Sequence, residues 1–134
     1  QQVIEEFNNF NNEVLEELWE QVKKFKPAIF IGSSGSFDTF KDLIFNCGYI
    51  HFPSIELKME ELEKLNEVLV ASVARERLQM PGMSQIRVDY IVLASIFTQM
   101  VLHKVKPRIV YQSSYSLKEG GLKEEFEKYL KERI

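Results

Sequence analysis

The stretch Ala28-Ile29-Phe30-Ile31-Gly32-Ser33-Ser34-Gly35-Ser36 decides the fold class. Ala28 to Ile31 is wholly apolar, with no polar alternation, and reads as a short strand buried on both faces, as in a parallel sheet. It runs into a turn of small residues. Helical spacing then resumes at Phe37, Phe40, Leu43 and Ile44. Strand, small-residue turn and helix in that order are the repeating unit of an α/β protein.

Upstream, apolar side chains recur at Ile4, Phe7, Phe10, Val14, Leu15, Leu18, Val22 and Phe25. Those steps of three and four predict one helix of about six turns over Val3 to Phe25. Pro27 ends it, because proline cannot donate to the helical ladder. Downstream, Cys47-Gly48 closes the second helix and Tyr49 to Ser54 reads as an irregular connection. A third helix is expected from Glu56 to about Leu78, then a turn at Met80-Pro81-Gly82-Met83. Val88 to Val105 is apolar almost all round, the mark of a central buried helix. Pro107 breaks it, Arg108 to Gln112 reads as a second strand, Ser113 to Ser116 as its exit turn, and Leu117 to Arg133 as a last helix. No internal repeat, low-complexity tract or linker stands out.

Two strands separated by that much helix should lie parallel, joined by a right-handed crossover. The expected fold is therefore α/β and helix-rich, with two core parallel strands and a helical insertion. Two strands alone make a poor sheet, so further strands are expected upstream of Gln1. Such an incomplete sheet would favour a homodimer. The opening Gln1-Gln2, without an initiator methionine, leads straight into a helical pattern, as if a longer chain preceded it.

With 134 residues the chain fits one domain. Apolar residues make up 45% and charged residues 28%, an ordinary globular balance. The net charge of −3 leaves no basic excess for a general nucleic-acid binder. The charge is uneven, however. Residues 1 to 20 carry six glutamates and no base, whereas Arg75 to Arg108 carries six bases against Glu76 and Asp89. A local anion site remains compatible with the overall sign. One cysteine, Cys47, allows no internal disulfide and suits the cytoplasm. No apolar run reaches the ~20 residues of a membrane span, and the start lacks the pattern of a secretory signal.

Gly32-Ser33-Ser34-Gly35-Ser36 is the most informative candidate site. Glycines let a backbone approach phosphate closely, and the N–H groups opening the next helix carry partial positive charge. The alternative is a plain strand-to-helix turn in which Ser36 caps the helix. No lysine follows the second glycine, so this is not a Walker A loop. Arg75, Arg77 and Arg87 surround the Met80-Pro81-Gly82 turn, and an arginine fork suits phosphate oxygens. For Arg75 a structural ion pair with a neighbouring acid is the expectation. His51 and His103 lack a metal-ligand pattern, and His103 can interact with helix-terminal carbonyls. Ser113 and Ser114 belong to no inferable Ser-His-Asp set.

Three segments in order resemble the exopolyphosphatase / guanosine pentaphosphate phosphohydrolase (Ppx/GppA) family. They are Ile31-Gly32-Ser33-Ser34-Gly35-Ser36, then Glu76-Arg77-Leu78 through Pro81-Gly82 to Arg87-Val88-Asp89-Tyr90-Ile91, then Ser113-Ser114-Tyr115-Ser116-Leu117-Lys118-Glu119-Gly120. The resemblance covers nearly the whole chain. It implies an incomplete ribonuclease H-like lobe of the actin-like ATPase superfamily, the second of two lobes, over residues 1 to 134. The implied reaction is removal of terminal phosphate from inorganic polyphosphate or guanosine pentaphosphate by a glutamate-assisted water, with magnesium.

Residue by residue, the resemblance makes Gly32, Ser33, Ser34, Gly35 and Ser36 a phosphate-facing loop and turns Arg87 toward the substrate, with Asp89 and Glu119 as structural partners. The family's N-terminal lobe, catalytic glutamate and other phosphate loop have no counterpart here. Ser36 stands where threonine is usual, Ser116 where glycine is, and Lys118 where arginine is. The chain alone is thus expected to bind phosphate weakly without turnover, with no metal held by its own residues. A nucleotide-binding kinase- or ATPase-like lobe and a non-catalytic interaction domain are the competing readings.

Overall fold

A computed structural model describes residues 2–46 and 52–133. Ten elements follow in the order α1 (Gln2–Val14), α2 (Glu16–Phe25), β1 (Ile29–Ser33), α3 (Gly35–Phe45), β2 (Ser54–Glu56), α4 (Met59–Ala71), α5 (Ala74–Arg77), α6 (Ile91–Val105), β3 (Ile109–Ser113) and α7 (Leu117–Glu132). The end of the second helix at Cys47-Gly48, the start of the connection at Tyr49, and His51 lie outside the described residues.

The sheet has the order β1-β3-β2. β1 and β3 run parallel, with Ile29 opposite Ile109 and Ser33 opposite Ser113, as the apolar runs predict. β2 begins at Ser54, the last residue of the stretch read as an irregular connection, and includes Glu56, expected to open the third helix, which starts instead at Met59; it pairs antiparallel to β3, so the sheet is mixed. Three residues carrying one half-buried Ile55 offer too little alternation to signal a strand.

β1 is not buried on both faces. Phe30 and Gly32 face the helices, but Ile29 is 53% and Ile31 65% exposed. An apolar run records what a strand can tolerate and does not reveal what covers it. α3, α4 and α6 pack with the strands to form the core of Phe37, Phe40, Leu57, Leu62, Leu69, Ile91, Leu102 and Val110. Each such side chain removed from water stabilises the fold by about 1.5–3 kcal/mol.

Two long helices predicted as continuous are interrupted, each beside a buried side chain that takes a backbone carbonyl as acceptor. The first breaks at Leu15 (φ −98°, ψ 17°). There the buried Trp19 donates its indole N–H to the Asn12 carbonyl at 3.2 Å. The third breaks at Ser72, which is extended (φ −87°, ψ 150°). Buried Arg77 donates Nε to Val88 O at 2.9 Å and Nη1 to Ser72 O. A guanidinium taken out of water needs such acceptors, and backbone carbonyls outside a helix supply them. Arg75, expected to form an ion pair, makes none among the described residues.

α6 is the central helix, with Ile91, Ser95, Ile96, Thr98, Gln99, Met100 and Leu102 buried. It opens after a turn in which Gly82 has φ 91°. A side chain there would lie 2.8 Å from the Asp42 backbone, so the turn is packed directly on α3.

Both strands of the parallel pair are entered alike. Lys26 and Lys106 end α2 and α6 in the left-handed conformation (φ 47° and 50°), each donating its N–H one turn back, to Val22 O and Leu102 O at 2.8 Å. A proline follows each, then the strand, then two serines. The segments 25–34 and 105–114 thus match at a constant offset, a short structural repeat that the sequence reading passes over because only lysine, proline, isoleucine and the serines are shared.

Candidate functional site

The candidate site lies at the carboxyl ends of β1 and β3, where open α/β sheets place ligands. Gly32 is the last buried residue of β1. A side chain there would run into the Phe37 ring, so glycine lets the strand and α3 pack closely. Ser33 ends the strand, exposed. Ser34 then turns the chain with φ 65° and ψ −176°, a region that L residues adopt at a cost of about 1–3 kcal/mol. Gly35 and Ser36 form the first turn of α3.

Ser34, not Ser36, is the helix-capping position, and it makes no side-chain capping hydrogen bond. The first intrahelical bond runs from Asp38 N to Ser34 O at 3.1 Å. The N–H groups of Gly35, Ser36 and Phe37 therefore precede the helical ladder and are directed out of its end. α7 begins differently. Glu119 Oε2 accepts from Ser116 N at 2.7 Å and from Ser116 Oγ at 2.6 Å. These hydrogen bonds hold the Glu119 carboxyl down from 4.5 to about 2. The positive end of α7 is satisfied by its own acid, in keeping with a structural Glu119, whereas that of α3 has no carboxylate cap.

Arg87 lies in the turn before α6 and reaches α3. A side-chain carbon added at Gly35 would overlap its guanidinium. Among the described residues Arg87 makes no ion pair. An unpaired guanidinium fork thus borders the uncapped, partly positive end of α3. Gly35 of the loop and Arg87, 52 positions apart, meet.

Three further residues join this region: Ser113, which opens the third of the family-like segments, and the pair Gln112 and Asp38, which carried no signal. Ser113 is the register partner of Ser33. Its hydroxyl is engaged locally, accepting from Tyr115 N at 3.1 Å. Gln112, fully buried on β3, donates Nε2 to Asp38 Oδ1 in the first turn of α3 at 2.8 Å, and its Oε1 has no partner. Sequence reasoning sees a polar residue in a strand; only the register puts Gln112 beside Gly32 and beneath α3.

Among solved structures the chain is similar to an exopolyphosphatase from Cytophaga hutchinsonii. The identity is 33% and the TM-score 0.81, over 91% of this chain and 41% of that one. The chain belongs to the Ppx/GppA family. Its fold is also that of the Aquifex aeolicus Ppx/GppA family member, at 19% identity and TM-score 0.68, over 88% of this chain and 42% of that one. The type II variant of the Aquifex aeolicus Ppx/GppA phosphatase aligns at 19% and 0.64, over 82% and 40%. This Ppx/GppA chain therefore spans about two fifths of the length of the structures it matches. No family model matches it, and neither does any curated protein. Among the described residues, no helix is long and apolar enough to cross a membrane.

Proposed function

We propose that this chain supplies phosphate-binding groups to a hydrolase that removes terminal phosphate from inorganic polyphosphate or guanosine pentaphosphate. The observation that carries this reading is the Arg87 guanidinium, without an ion-pair partner among the described residues, set against the uncapped first turn of α3 at Gly35. Phosphoryl transfer asks a protein to position a phosphoanhydride, neutralise charge spreading over the transferred oxygens and orient water. The backbone N–H groups of Gly35 and Ser36 and the hydroxyls of Ser33, Ser34 and Ser36 suit the first task. Arg87 suits the second, as a bidentate donor.

The third task needs a base, and the proposal assigns it to a glutamate in a companion lobe of the longer protein. In this reading residues 1 to 134 are part of the second, ribonuclease H-like lobe of an actin-like pair. The parallel β1–β3 unit, with its loop at the carboxyl edge, supports that assignment. Magnesium belongs to the reaction proposed. Among the described residues, however, no three His, Cys, Asp or Glu side chains cluster as metal ligands, so these residues do not fit a magnesium site of their own.

The test is phosphate release from polyphosphate and from guanosine pentaphosphate by the intact gene product, with and without magnesium. Release from either, lost on Arg87→Ala, is the expected result. No release from a well-folded protein would overturn the hydrolase reading. Turnover by the isolated, contaminant-free chain would overturn the companion-lobe assignment.

A further inference from the structure

At the opposite end of the sheet, where β1 and β3 begin, Lys23, Lys26, Lys104, Lys106 and Arg108 border one open cavity of about 430 Å³. No acidic side chain lines it, and among the described residues none of the five makes an ion pair. We propose that this cavity is a second anion site, taking the consecutive phosphates of a short oligophosphate chain.

Two observations carry it beyond ordinary surface lysines. The first is charge. Lysines in a last helical turn commonly just offset the helix dipole, and α2 and α6 both end here. Each helix end contributes about half a negative charge, roughly one in total, against five full positive charges. Even leaving out Lys23 and Lys104, an excess of about two remains at Lys26, Lys106 and Arg108, with no ion-pair partner among the described residues. The second is backbone. Lys26 and Lys106 occupy left-handed positions that glycine fills without strain. Glycine would serve helix termination with less strain, and the lysines in its place add two positive charges at this point. Both lysines line this same cavity, related by the local repeat.

Lys23 and Lys104 also border a neighbouring depression that carries Glu13, Glu16 and Glu20. The anion is therefore assigned to the Lys26, Lys106 and Arg108 side. Because all five groups are exposed, binding should weaken steeply with salt, whose screening length is ~8 Å at physiological strength. Strands of five residues, rising about 3.3 Å each, separate this cavity from the Gly35–Arg87 region by roughly 15 Å, so the two sites can be lost independently.

The experiment titrates the chain with inorganic tripolyphosphate by calorimetry at low salt, in an Arg87→Ala background that silences the other site. Binding should persist there and weaken roughly tenfold in Lys26→Gly/Lys106→Gly, given what exposed charge pairs contribute. Tm should hold or rise, because glycine relieves both left-handed positions. Lys23→Gln/Lys104→Gln, at exposed helical positions, provides a control without backbone change and should weaken binding less. Adenosine triphosphate should bind as well as tripolyphosphate; a marked preference for the nucleotide would overturn the assignment to phosphates alone. Unchanged affinity in Lys26→Gly/Lys106→Gly, or no tripolyphosphate binding in the Arg87→Ala background, would overturn the site. Neither result bears on the loop, which is tested by Arg87→Ala in the otherwise unaltered protein.

Discussion

The guanidinium of Arg87 occupies the space that a side chain at Gly35 would need. Gly35 is helical, without the positive φ that demands glycine, so its requirement is steric and comes from Arg87. Gly35→Ala should therefore displace the flexible end of Arg87 and leave the backbone in place. The helix should be unchanged or stabilised, by up to about 1 kcal/mol. Phosphate binding should weaken nearly as much as in Arg87→Ala. Thermal unfolding and anion titration on the same sample check both halves.

Ser34 holds φ 65° and ψ −176° where only glycine is at ease. Ser34→Gly should stabilise the chain by about 1 kcal/mol, the relieved strain less the added unfolded-state entropy of glycine. Ser34→Ala keeps the strain and should gain nothing. Urea unfolding of the pair separates strain from hydroxyl chemistry.

Gln112 and Asp38 join the central strand to the first turn of α3. Asp38→Ala leaves a fully buried amide without its acceptor and should cost about 1–3 kcal/mol. In Asp38→Ala/Gln112→Leu the polar group is gone as well, and the loss should be smaller than the sum of the single changes. A double-mutant cycle by denaturant unfolding reads the difference. Strict additivity would show that the 2.8 Å hydrogen bond does no work.

Glu119 has its carboxyl lowered from 4.5 to about 2, first by the Ser116 hydroxyl and then by the Ser116 backbone N–H. A depressed carboxyl contributes stability that is present above its unfolded value and lost as pH falls through the folded one. The start of α7 should therefore loosen as pH falls from about 4.5 to about 2. In Glu119→Gln that pH dependence should be absent. An NMR titration following the Ser116 amide checks it.

Much of the architecture was legible from local chemistry. Pro27 and Pro107 end helices because they lack a donor, and the apolar runs after them are strands, paired in parallel as the length of helix between them requires. The glycine-serine turn was visible as a candidate anion loop and is one of the three segments that carry the family resemblance. What stayed hidden depended on partners distant in sequence. β2 exists because β3 offers it an edge. The helix break at Ser72 accompanies a buried Arg77 whose Nε finds its acceptor in the Val88 carbonyl of another segment. Of the three arginines around one turn, only the packing separates buried Arg77 from Arg87 at the site.

The sequence by itself determined where the main helical stretches and the two parallel strands lie, because those preferences arise from hydrophobic period and from the backbone limits of proline and glycine, acting within a few residues. The tertiary structure alone decided which faces are covered and which polar groups meet. Ile31 is exposed, Gln112 is buried against Asp38, and Arg87 stands over Gly35. Side-chain contact falls off within a few ångströms, and only the folded path of the chain brings residues 35 and 87 that close.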